Sequence, residues 1–202
     1  MNAQLHQYRD AITRILDQIL GEEYAIRKAA GAMAASIRDS RVIHVLGPGG
    51  HSNMAAEEVL WRDGGLACMD SILDAGTNLI HSGRRSLLIE RTPGYAISVM
   101  NAYEVGKNPG EVIIIVNTYG INAMTVDAAL EAKKRNTTSI GVTSRSFADV
   151  LTKDHPSRHP SGKNLYEIVD NYLPYGDAIV ELHGMDWIRS WVPPPPSATP
   201  LS

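Results

Sequence analysis

Apolar side chains near the start of the chain recur at intervals of three and four residues, the spacing of one helix face. This stripe runs over residues 3–20 and consists of Leu5, Tyr8, Ile12, Ile15, Leu16 and Ile19. Gly21 ends the helix, and an alanine-rich segment predicts a second helix from about Glu22 to Ser40. We expect residues 1–40 to form helices that pack on the core of the protein or on a partner subunit.

After residue 40, short apolar runs alternate with polar loops and helical segments. Runs that suit strands buried on both faces are predicted at 41–46, 111–116 and 138–142. Each is followed by a loop of small polar residues and then by a helix. This repeated pattern predicts an α/β fold with a doubly wound, mostly parallel sheet flanked by helices, extending over residues 41–185.

The segments between these units are less regular. They are predicted as a strand at 66–69, loops over most of 70–92, a helix at 93–105 and edge strands near 168–169 and 178–182. Pro93 is expected in the first turn of its helix, where a missing N–H is tolerated. The final segment, 186–202, contains WVPPPPSATPLS and is predicted to be an extended, poorly packed tail.

Composition narrows the class of protein. The 202 residues are 44% hydrophobic and 20% charged, as in ordinary globular proteins. A net charge of −3 without a block of basic residues gives no reason to expect nucleic acid as a partner. No apolar run is long enough to span a bilayer and the charged N-terminus is not a signal peptide, so no membrane partner is expected. A single cysteine, Cys68, fits a reducing compartment, and we expect a cytoplasmic location.

Three polar loops follow the three best-defined strands. Because ligands of doubly wound folds bind beyond the carboxyl ends of the strands, the loops at 47–53, 117–122 and 143–146 are candidate binding segments. The first, GPGGHSN, matches neither the GxGxxG dinucleotide fingerprint nor a Walker phosphate loop. The predicted substrate-binding residues are Gly50, Ser52, Asn53, Asn117, Thr118, Asn122, Ser144 and Ser146.

Each of these loops also opens a helix, which leaves a purely local alternative. Ser52 or Asn53 in the first loop, and Asn122 in the second, are favourable N-cap residues whatever the function. Three such loops on one sheet edge are nevertheless hard to attribute to capping alone. Together they predict a pocket in which amides and hydroxyls hold an oxyanion.

These segments resemble the SIS (sugar isomerase) domain family and, within it, a small branch similar to the phosphoheptose isomerases. The resemblance covers roughly residues 40–182. It rests on HVLGPGGHSNMAAEEVLWRDGGL, EVIIIVNTYGINAMTVDAALEAKKRN, SIGVTSRS and HPSGKNLYEIVDNYLPYGDA. It implies a SIS-type, flavodoxin-like fold preceded by two helices, and an aldose–ketose isomerase that uses no cofactor and no metal. It also implies a homodimer or homotetramer with active sites at subunit interfaces.

Isomerisation of this kind moves a proton between neighbouring carbons through an enediol. It requires a base for the carbon-bound proton and a group that transfers protons between oxygens. The predicted catalytic residues are His51, Glu58, Glu90 and His159. Glu90 is the favoured base because it ends an apolar segment directly before a predicted helix, where burial raises a carboxyl pKa. An ion pair with Arg84, Arg85 or Arg91 is the alternative.

The other candidates have structural alternatives of their own. His51 could be a loop histidine bonded to the backbone. The resemblance suggests a catalytic glutamate on the helix of Glu57 and Glu58, but both could instead stabilise its first turn. His159 fits the family motif better than His155, and SIS isomerases often complete a site with a histidine from a neighbouring chain. The prolines around these two histidines argue against a zinc site, so no metal is predicted.

One loop departs from the family pattern. The phosphate loop of SIS domains usually reads Ser-x-Ser-Gly-x-Thr or Ser-x-Ser-Gly-x-Asn, whereas here Asn117 and Tyr119 replace the two serines. Loss of this hydroxyl pair should weaken binding of a phosphate, with nearly two charges, more than binding of a singly charged sulfonate. The expected substrate is therefore a phosphorylated or sulfonated sugar, sulfoquinovose being one possibility. A non-catalytic sugar-phosphate sensor, or a lyase or epimerase that uses the same enediol, is the alternative.

Overall fold

Two helices precede the sheet and six more are interspersed with its strands in residues 2–174, the part of the chain that this computed structural model describes. The helices are α1 (Asn2–Gly21), α2 (Glu23–Arg38), α3 (Asn53–Val59), α4 (Gly83–Ile89), α5 (Tyr95–Ala102), α6 (Ala123–Lys134), α7 (Arg145–Val150) and α8 (Leu165–Ile168). The strands are β1 (Ile43–Leu46), β2 (Met69–Ile72), β3 (Val112–Val116), β4 (Thr138–Thr143) and β5 (Asn171–Pro174).

The five strands form one parallel sheet in the order β2-β1-β3-β4-β5. Ile43 of β1 lies opposite both Met69 of β2 and Val112 of β3. Because parallel strands cannot be joined by a tight turn, the connections between them contain helices. The α/β, flavodoxin-like fold predicted from the sequence is thereby confirmed.

Strand side chains alternate between the two faces of the sheet and form two apolar clusters. On one face, Ile43, Val112 and Ile140 pack against α2, mainly at Ala29. On the other face, strand residues that include Leu46, Ile72, Ile113 and Ile115 pack against α5, α6 and α8. Since both faces are covered, β3 is a continuous apolar run, and β1 is apolar except for His44.

The region between β1 and β3 differs from the prediction. The strand predicted at 66–69 begins only at Met69, and residues 70–92, predicted mostly as loops, contain the rest of β2 and helix α4. Ser82 caps α4, because its Oγ accepts a hydrogen bond from the Arg85 N–H at 3.2 Å. The predicted loop character came from Gly83, which opens the helix, and from the polar residues beside it.

Two further boundaries were predicted wrongly. Pro93 is not in the first turn of α5, because Gly94 is the N-cap and the helix begins at Tyr95. Residues 165–168 form a helical turn started by a capping box, in which the Glu167 carboxylate accepts from the Asn164 N–H at 2.6 Å. The predicted strand near 168–169 is therefore displaced to Asn171. The strand predicted at 178–182 and the tail at 186–202 lie outside the described residues.

The two N-terminal helices differ in how they meet the core. Helix α2 packs on the sheet and buries Ala29. In α1, Ala11 is the one buried residue between positions 3 and 21, while Leu5 is 62% and Leu16 is 55% exposed. The apolar stripe of α1 is thus uncovered in the single chain. None of the described helices is both long and apolar enough to cross a membrane.

Candidate active site

The strand order reverses between β1 and β3, because β2 lies on one side of β1 and the remaining strands lie on the other. The loops that leave the carboxyl ends of β1 and β3 therefore run side by side. A cleft of about 670 Å³ opens between these loops and α4. Its walls include His51, Ser52, Glu90, Thr118 and Tyr119. This is the position at which doubly wound folds bind their ligands.

The glycines after β1 are needed because the loop is packed too closely for side chains. A Cβ at Gly47 would lie 1.8 Å from the carbonyl oxygen of Ser52, since the loop turns back against the start of α3. At Gly49, where φ is +148°, a Cβ would lie 2.5 Å from Oε2 of Glu90. Only glycine fits both positions. The loop thereby brings its backbone directly against a carboxylate.

The two predicted anion-binding asparagines hold the loops together. The Nδ2 atoms of Asn117 and Asn122 each donate to the carbonyl oxygen of Pro48 at 3.0 Å. Asn117 Oδ1 accepts from the Gly120 N–H at 2.8 Å, and Asn122 Oδ1 accepts from the Thr125 N–H at the same distance. Asn122 is therefore the N-cap of α6, as the capping alternative proposed. Both residues line the cleft, but their amide groups are engaged by the protein.

Ser52 and Asn53 are placed differently from each other. Asn53 is buried, and its Nδ2 donates to the carbonyl oxygens of Gly49 and Thr77 at 3.0 Å. Ser52 precedes α3 without a side-chain capping bond, and its Oγ accepts from Asn117 Nδ2 at 3.2 Å. Because Ser52 accepts in that bond, its hydroxyl hydrogen can still be donated to a ligand in the cleft.

Glu90 is fixed at the end of α4 by its backbone. Its N–H donates to the Ser86 carbonyl at 2.9 Å, and its carbonyl accepts from the N–H of Met124, in the first turn of α6, at 2.9 Å. The side chain lies against the glycine loop, where the Gly50 N–H donates to the carboxylate. The carboxyl group is thus oriented by backbone on two sides and faces the cleft.

Burial raises the pKa of the Glu90 carboxyl above its ordinary value, against the smaller opposing effects of the Arg91 charge and the Gly50 N–H. This is the direction predicted from the sequence. Among the described residues Glu90 forms no ion pair within 4.0 Å, so the predicted alternative, in which an arginine neutralises it directly, is not what the geometry shows. The carboxylate is instead partly desolvated and open to the cleft.

Tyr119 stands where SIS phosphate loops usually carry a serine. Its ring stacks on Phe147, with centroids 4.1 Å apart and planes inclined by 28°. Burial, together with the nearby Glu90 charge, raises the pKa of the Tyr119 hydroxyl. The hydroxyl therefore stays protonated at neutral pH and can donate a hydrogen bond.

The third loop lies apart from the cleft. Ser144 is fully buried, and its Oγ accepts from the Phe147 N–H at 3.2 Å, which makes it the N-cap of α7. The hydroxyls of Ser144 and Ser146 lie 3.3 Å apart, and neither residue is part of the cleft wall. In this loop capping accounts for Ser144 without a ligand.

Glu57 and Glu58 of α3 are also directed away from the cleft. Glu58 forms an exposed ion pair with Arg62 at 2.5 Å, and its side chain is 66% exposed. Glu57 accepts from Asn78 Nδ2 at 2.8 Å. Neither carboxylate lines the cleft of this chain.

The three histidines of interest occupy different surroundings. His51 is exposed on the cleft wall, and its ring has no hydrogen-bond partner among residues 2–174. His159 contacts Asp127 Oδ1 through Nε2 at 3.1 Å and Ser161 Oγ through Nδ1 at 2.7 Å, outside the cleft wall. His155, which the sequence ranked below His159, lines a smaller cavity beside Glu90.

Helix α4 supplies wall residues that the sequence did not indicate. Leu79, just before it, and Ser86 and Leu87 within it border the cleft, together with Arg84. Arg84 and Arg91 were considered only as partners for Glu90. Ser82 was the available signal, since a serine before an apolar segment is a favourable helix start. Within the described part of the chain, no three His, Cys, Asp or Glu side chains converge as metal ligands.

Known proteins resemble this chain over most of its length. The family model described as the SIS domain matches residues 7–144. A UPF0309 protein of Caldanaerobacter subterraneus is 35% identical over 195 residues, which cover 94% of this chain and 76% of that protein. A UPF0309 protein of Listeria monocytogenes is 34% identical over 187 residues, which cover 90% and 73% of the two chains.

Solved structures share the fold at lower identity. A phosphoheptose isomerase from Neisseria gonorrhoeae aligns with a TM-score of 0.55 and 18% identity, over 94% of this chain and 98% of that one. A phosphoheptose isomerase from Francisella tularensis aligns with a TM-score of 0.55 and 15% identity, over 88% and 87%. These likenesses establish the fold, and the family model matches more than half of the sequence. The chain therefore belongs to the SIS domain family.

Proposed function

We propose that this protein is a cofactor-free aldose–ketose isomerase of a phosphorylated or sulfonated sugar. Membership of the SIS family supports a role in handling sugars, and phosphoheptose isomerases share its fold. The observation that carries the proposal is Glu90, a carboxylate with a raised pKa on the wall of a cleft that also presents His51, Ser52 and Thr118. Perturbed carboxyl groups in clefts are typical of general acid–base catalysis.

Glu90 is assigned the role of base. Its carboxylate removes the proton from the carbon next to the sugar carbonyl, the carbonyl oxygen gains a proton, and an enediol forms. Glu90 then returns the proton to the former carbonyl carbon while the other enediol hydroxyl loses its own proton, which forms the new carbonyl and regenerates the carboxylate. A raised pKa makes Glu90 a stronger base than an exposed glutamate, and the Gly50 N–H orients it.

His51 and Tyr119 are assigned to the substrate oxygens. The His51 ring lines the cleft, and its nitrogens are available to open the sugar ring or to move a proton between oxygens. The Tyr119 hydroxyl stays protonated because its pKa is raised, so it can donate to the carbonyl oxygen as negative charge develops there.

The substrate anion is proposed to be a phosphate or a sulfonate. Asn117 Nδ2 donates to both Pro48 and Ser52, and Asn122 Nδ2 donates to Pro48, so these side chains offer a ligand fewer donors than the serines of the usual loop would. A sulfonate carries one charge and needs less compensation than a phosphate with nearly two. Sulfoquinovose-type sugars are therefore included in the proposed substrate class.

We also propose that the protein is a homodimer or homotetramer joined through α1. The apolar stripe of this helix is uncovered by its own chain, with Leu16 55% exposed. A second copy is the fitting partner, because α1 carries two arginines and two aspartates and so presents no net charge to its own copy. A 20-residue helix offers a contact about 30 Å long.

Light scattering coupled to size exclusion tests this assembly. Leu16→Lys should lower the molar mass toward that of one chain, because it places a charge in the apolar contact. Gln18→Lys, on an exposed position of the same helix, is the matched control and should keep the assembly. A wild-type protein that elutes as a monomer at micromolar concentration would contradict the proposal.

The isomerase proposal is tested by a thermal-shift screen of phosphorylated and sulfonated aldoses and ketoses, followed by deuterium wash-in for each ligand that stabilises. A ligand that binds only the folded protein raises its melting temperature. Deuterium from the solvent should appear on the carbon next to the carbonyl of one such sugar. Stabilisation without exchange would indicate a sensor and would remove Glu90 from the role of base.

A further inference from the structure

The two side-chain amides of the loop after β3 are engaged by the protein. Asn117 and Asn122 direct their Nδ2 atoms to Pro48, as described above. At the start of α6, the Thr125 N–H donates to Asn122 Oδ1 and the Met124 N–H donates to the Glu90 carbonyl. Two backbone donors at this helix terminus are therefore occupied by the protein itself. A cation beside the cleft would bind the anionic group of the substrate more strongly than the remaining neutral donors.

A second cavity adjoins the large cleft on the far side of Glu90 and Tyr119. It measures about 270 Å³ and is lined on its polar side by Arg91, His155 and Ser157. Leu87, Glu90, Tyr119 and Asn122 line both cavities, so the two spaces share a wall. We call the larger space the carbonyl lobe and the smaller one, lined by Arg91 and His155, the arginine lobe.

Arg91 lines the arginine lobe, and one donor of its guanidinium group has no partner within residues 2–174. Its Nε–H is shielded from solvent and has no acceptor among the described residues. A buried donor without a partner is costly, and a guanidinium is well shaped to bind an oxyanion through two parallel hydrogen bonds. Its charge also lies close enough to Glu90 to lower that pKa in part, so the lobe borders the proposed base.

His155 supplies a second donor. Its Nδ1 accepts from the Ser157 N–H at 3.2 Å, which places the hydrogen of the neutral ring on Nε2. The surrounding loop is held by Arg158, which donates to the carbonyls of Leu151 and Thr152 at 2.8 Å. Arg158 is occupied by these contacts, whereas His155 and Arg91 face the lobe.

We propose that the arginine lobe binds the anionic end group of the substrate, a phosphate or a sulfonate, through Arg91 and the Nε2–H of His155. The sugar then extends past Tyr119, so that its carbonyl carbon lies in the carbonyl lobe beside Glu90 and His51. This assignment rests on the isomerase function proposed above. It moves the anion away from the side chains of Asn117 and Asn122, where the sequence had predicted it.

Anion binding without turnover tests the assignment. Inorganic phosphate is titrated against the full chain by ³¹P NMR, and methanesulfonate is used as a competitor to represent a sulfonate. Arg91→Gln should weaken phosphate binding by about tenfold or more, because a charge-assisted bond is lost. Arg27→Gln, which removes the same charge from an exposed position on α2 outside both lobes, is the matched control and should change it by less than about twofold. Arg84→Gln tests the carbonyl lobe as the rival anion site and should weaken binding less than Arg91→Gln does.

Two more conservative variants keep the assignment testable if Arg91→Gln does not fold. Arg91→Lys keeps a cation while removing the Nε–H, and His155→Phe keeps a ring while removing the Nε2–H; each should weaken binding by about threefold or more. Competition by methanesulfonate that exceeds self-competition by phosphate would identify a sulfonate site, and the reverse order a phosphate site.

A loss at Arg84→Gln equal to or greater than that at Arg91→Gln would overturn the assignment, as would a wild-type protein that binds neither anion. These outcomes are independent of catalysis. Deuterium exchange that persists unchanged in Arg91→Gln would likewise refute the arginine lobe while leaving the isomerase proposal intact. Arg91-dependent anion binding without exchange on any sugar would support the lobe and refute the isomerase.

Discussion

Two shielded glutamates lie at opposite ends of the sheet and differ in how their oxygens are satisfied. Glu111, just before β3, is 3% exposed and accepts from the Gly106 N–H at 2.8 Å and from Asn108 Nδ2 at 2.7 Å. Its carboxylate also approaches Nε2 of His44 at 3.5 Å. Glu90, at the carboxyl end, is half-buried and receives one backbone N–H, from Gly50.

Both ends of the sheet also have a cavity, so a cavity alone does not distinguish them. The one beside Glu111 measures about 290 Å³ and includes His44 and Asp70, whose side chains are joined at 2.7 Å. There the charged groups have each other and the backbone as partners. At the carboxyl end, Glu90 has no ion-pair partner within 4.0 Å among residues 2–174, and its carboxylate faces the cleft. The difference separates a carboxylate that stabilises the fold from one that remains available for chemistry.

The largest expected effect is on turnover. Glu90→Gln should lower kcat by about a thousandfold, within the range that general-base catalysis supplies, while a stabilising sugar still binds. Deuterium exchange and thermal shift on the same sample measure the two quantities. Glu23→Gln, which removes an exposed carboxylate paired with Arg27 on α2, is the control. We expect the loss at Glu90 to exceed the loss in Glu58→Gln, and the opposite order would transfer the base role to α3.

The next effect is on stability at the other end of the sheet. Glu111→Gln should lower the free energy of unfolding by about 2 kcal/mol, because its NH2 group would face either the Gly106 N–H or Asn108 Nδ2, whichever way the amide is turned. Urea unfolding measures this, with Glu104→Gln as the exposed control, expected within about 0.5 kcal/mol of the wild type. A folded Glu111→Gln protein with kcat reduced as strongly as in Glu90→Gln would break the distinction between the two ends.

The sequence indicates only part of what distinguishes Glu90 from Glu111. Strands β1, β3 and β4 and the loops after them could be predicted, because apolar runs and glycines mark them directly. The hydrogen-bond partners of Asn117 and Asn122 could not be predicted, because both residues bond to Pro48, which lies 69 and 74 positions earlier in the sequence. For the same reason the ion pair of Glu58 with Arg62, which directs Glu58 away from the cleft, could not be predicted.

The helix before Glu90 shows a second limit of sequence patterns. Helix α4 is only seven residues long and begins with glycine, so its periodicity is too short to distinguish it from a loop. Its residues nevertheless form one wall of the cleft. His155 was similarly ranked below His159 because loop histidines are assigned by motif, whereas the cavity that contains His155 arises from tertiary packing.

A smaller effect on stability is expected at Asn122, which both bonds to the glycine loop and caps α6. Asn122→Ala should lower the free energy of unfolding by about 1 kcal/mol, because the N-cap of α6 is lost together with the bond to Pro48. Asn122→Ser keeps a capping oxygen and isolates the bond to Pro48, so it should lose roughly half as much. Urea unfolding of both variants provides the measurement. If Asn122→Ala were as stable as the wild type and only substrate binding were weakened, Asn122 would instead be a ligand of the substrate anion.

The smallest effect concerns the pH dependence of stability at Glu90. Its pKa is raised in the folded protein, so the contribution of the protonated carboxyl is fully present below the ordinary glutamate pKa and is lost as pH rises through the raised one. Glutamine mimics the protonated form of Glu90. The Glu90→Gln protein should therefore match the melting temperature of the wild type near pH 4 and melt about 2 °C higher at neutral pH. The gain is small because the carboxylate is partly solvated. Melting curves across this range measure the difference. At neutral pH, glutamine should therefore raise stability at position 90 and lower it at position 111. A Glu90→Gln protein less stable than the wild type would mean that the Glu90 carboxylate, like that of Glu111, is stabilised by its hydrogen-bond partners.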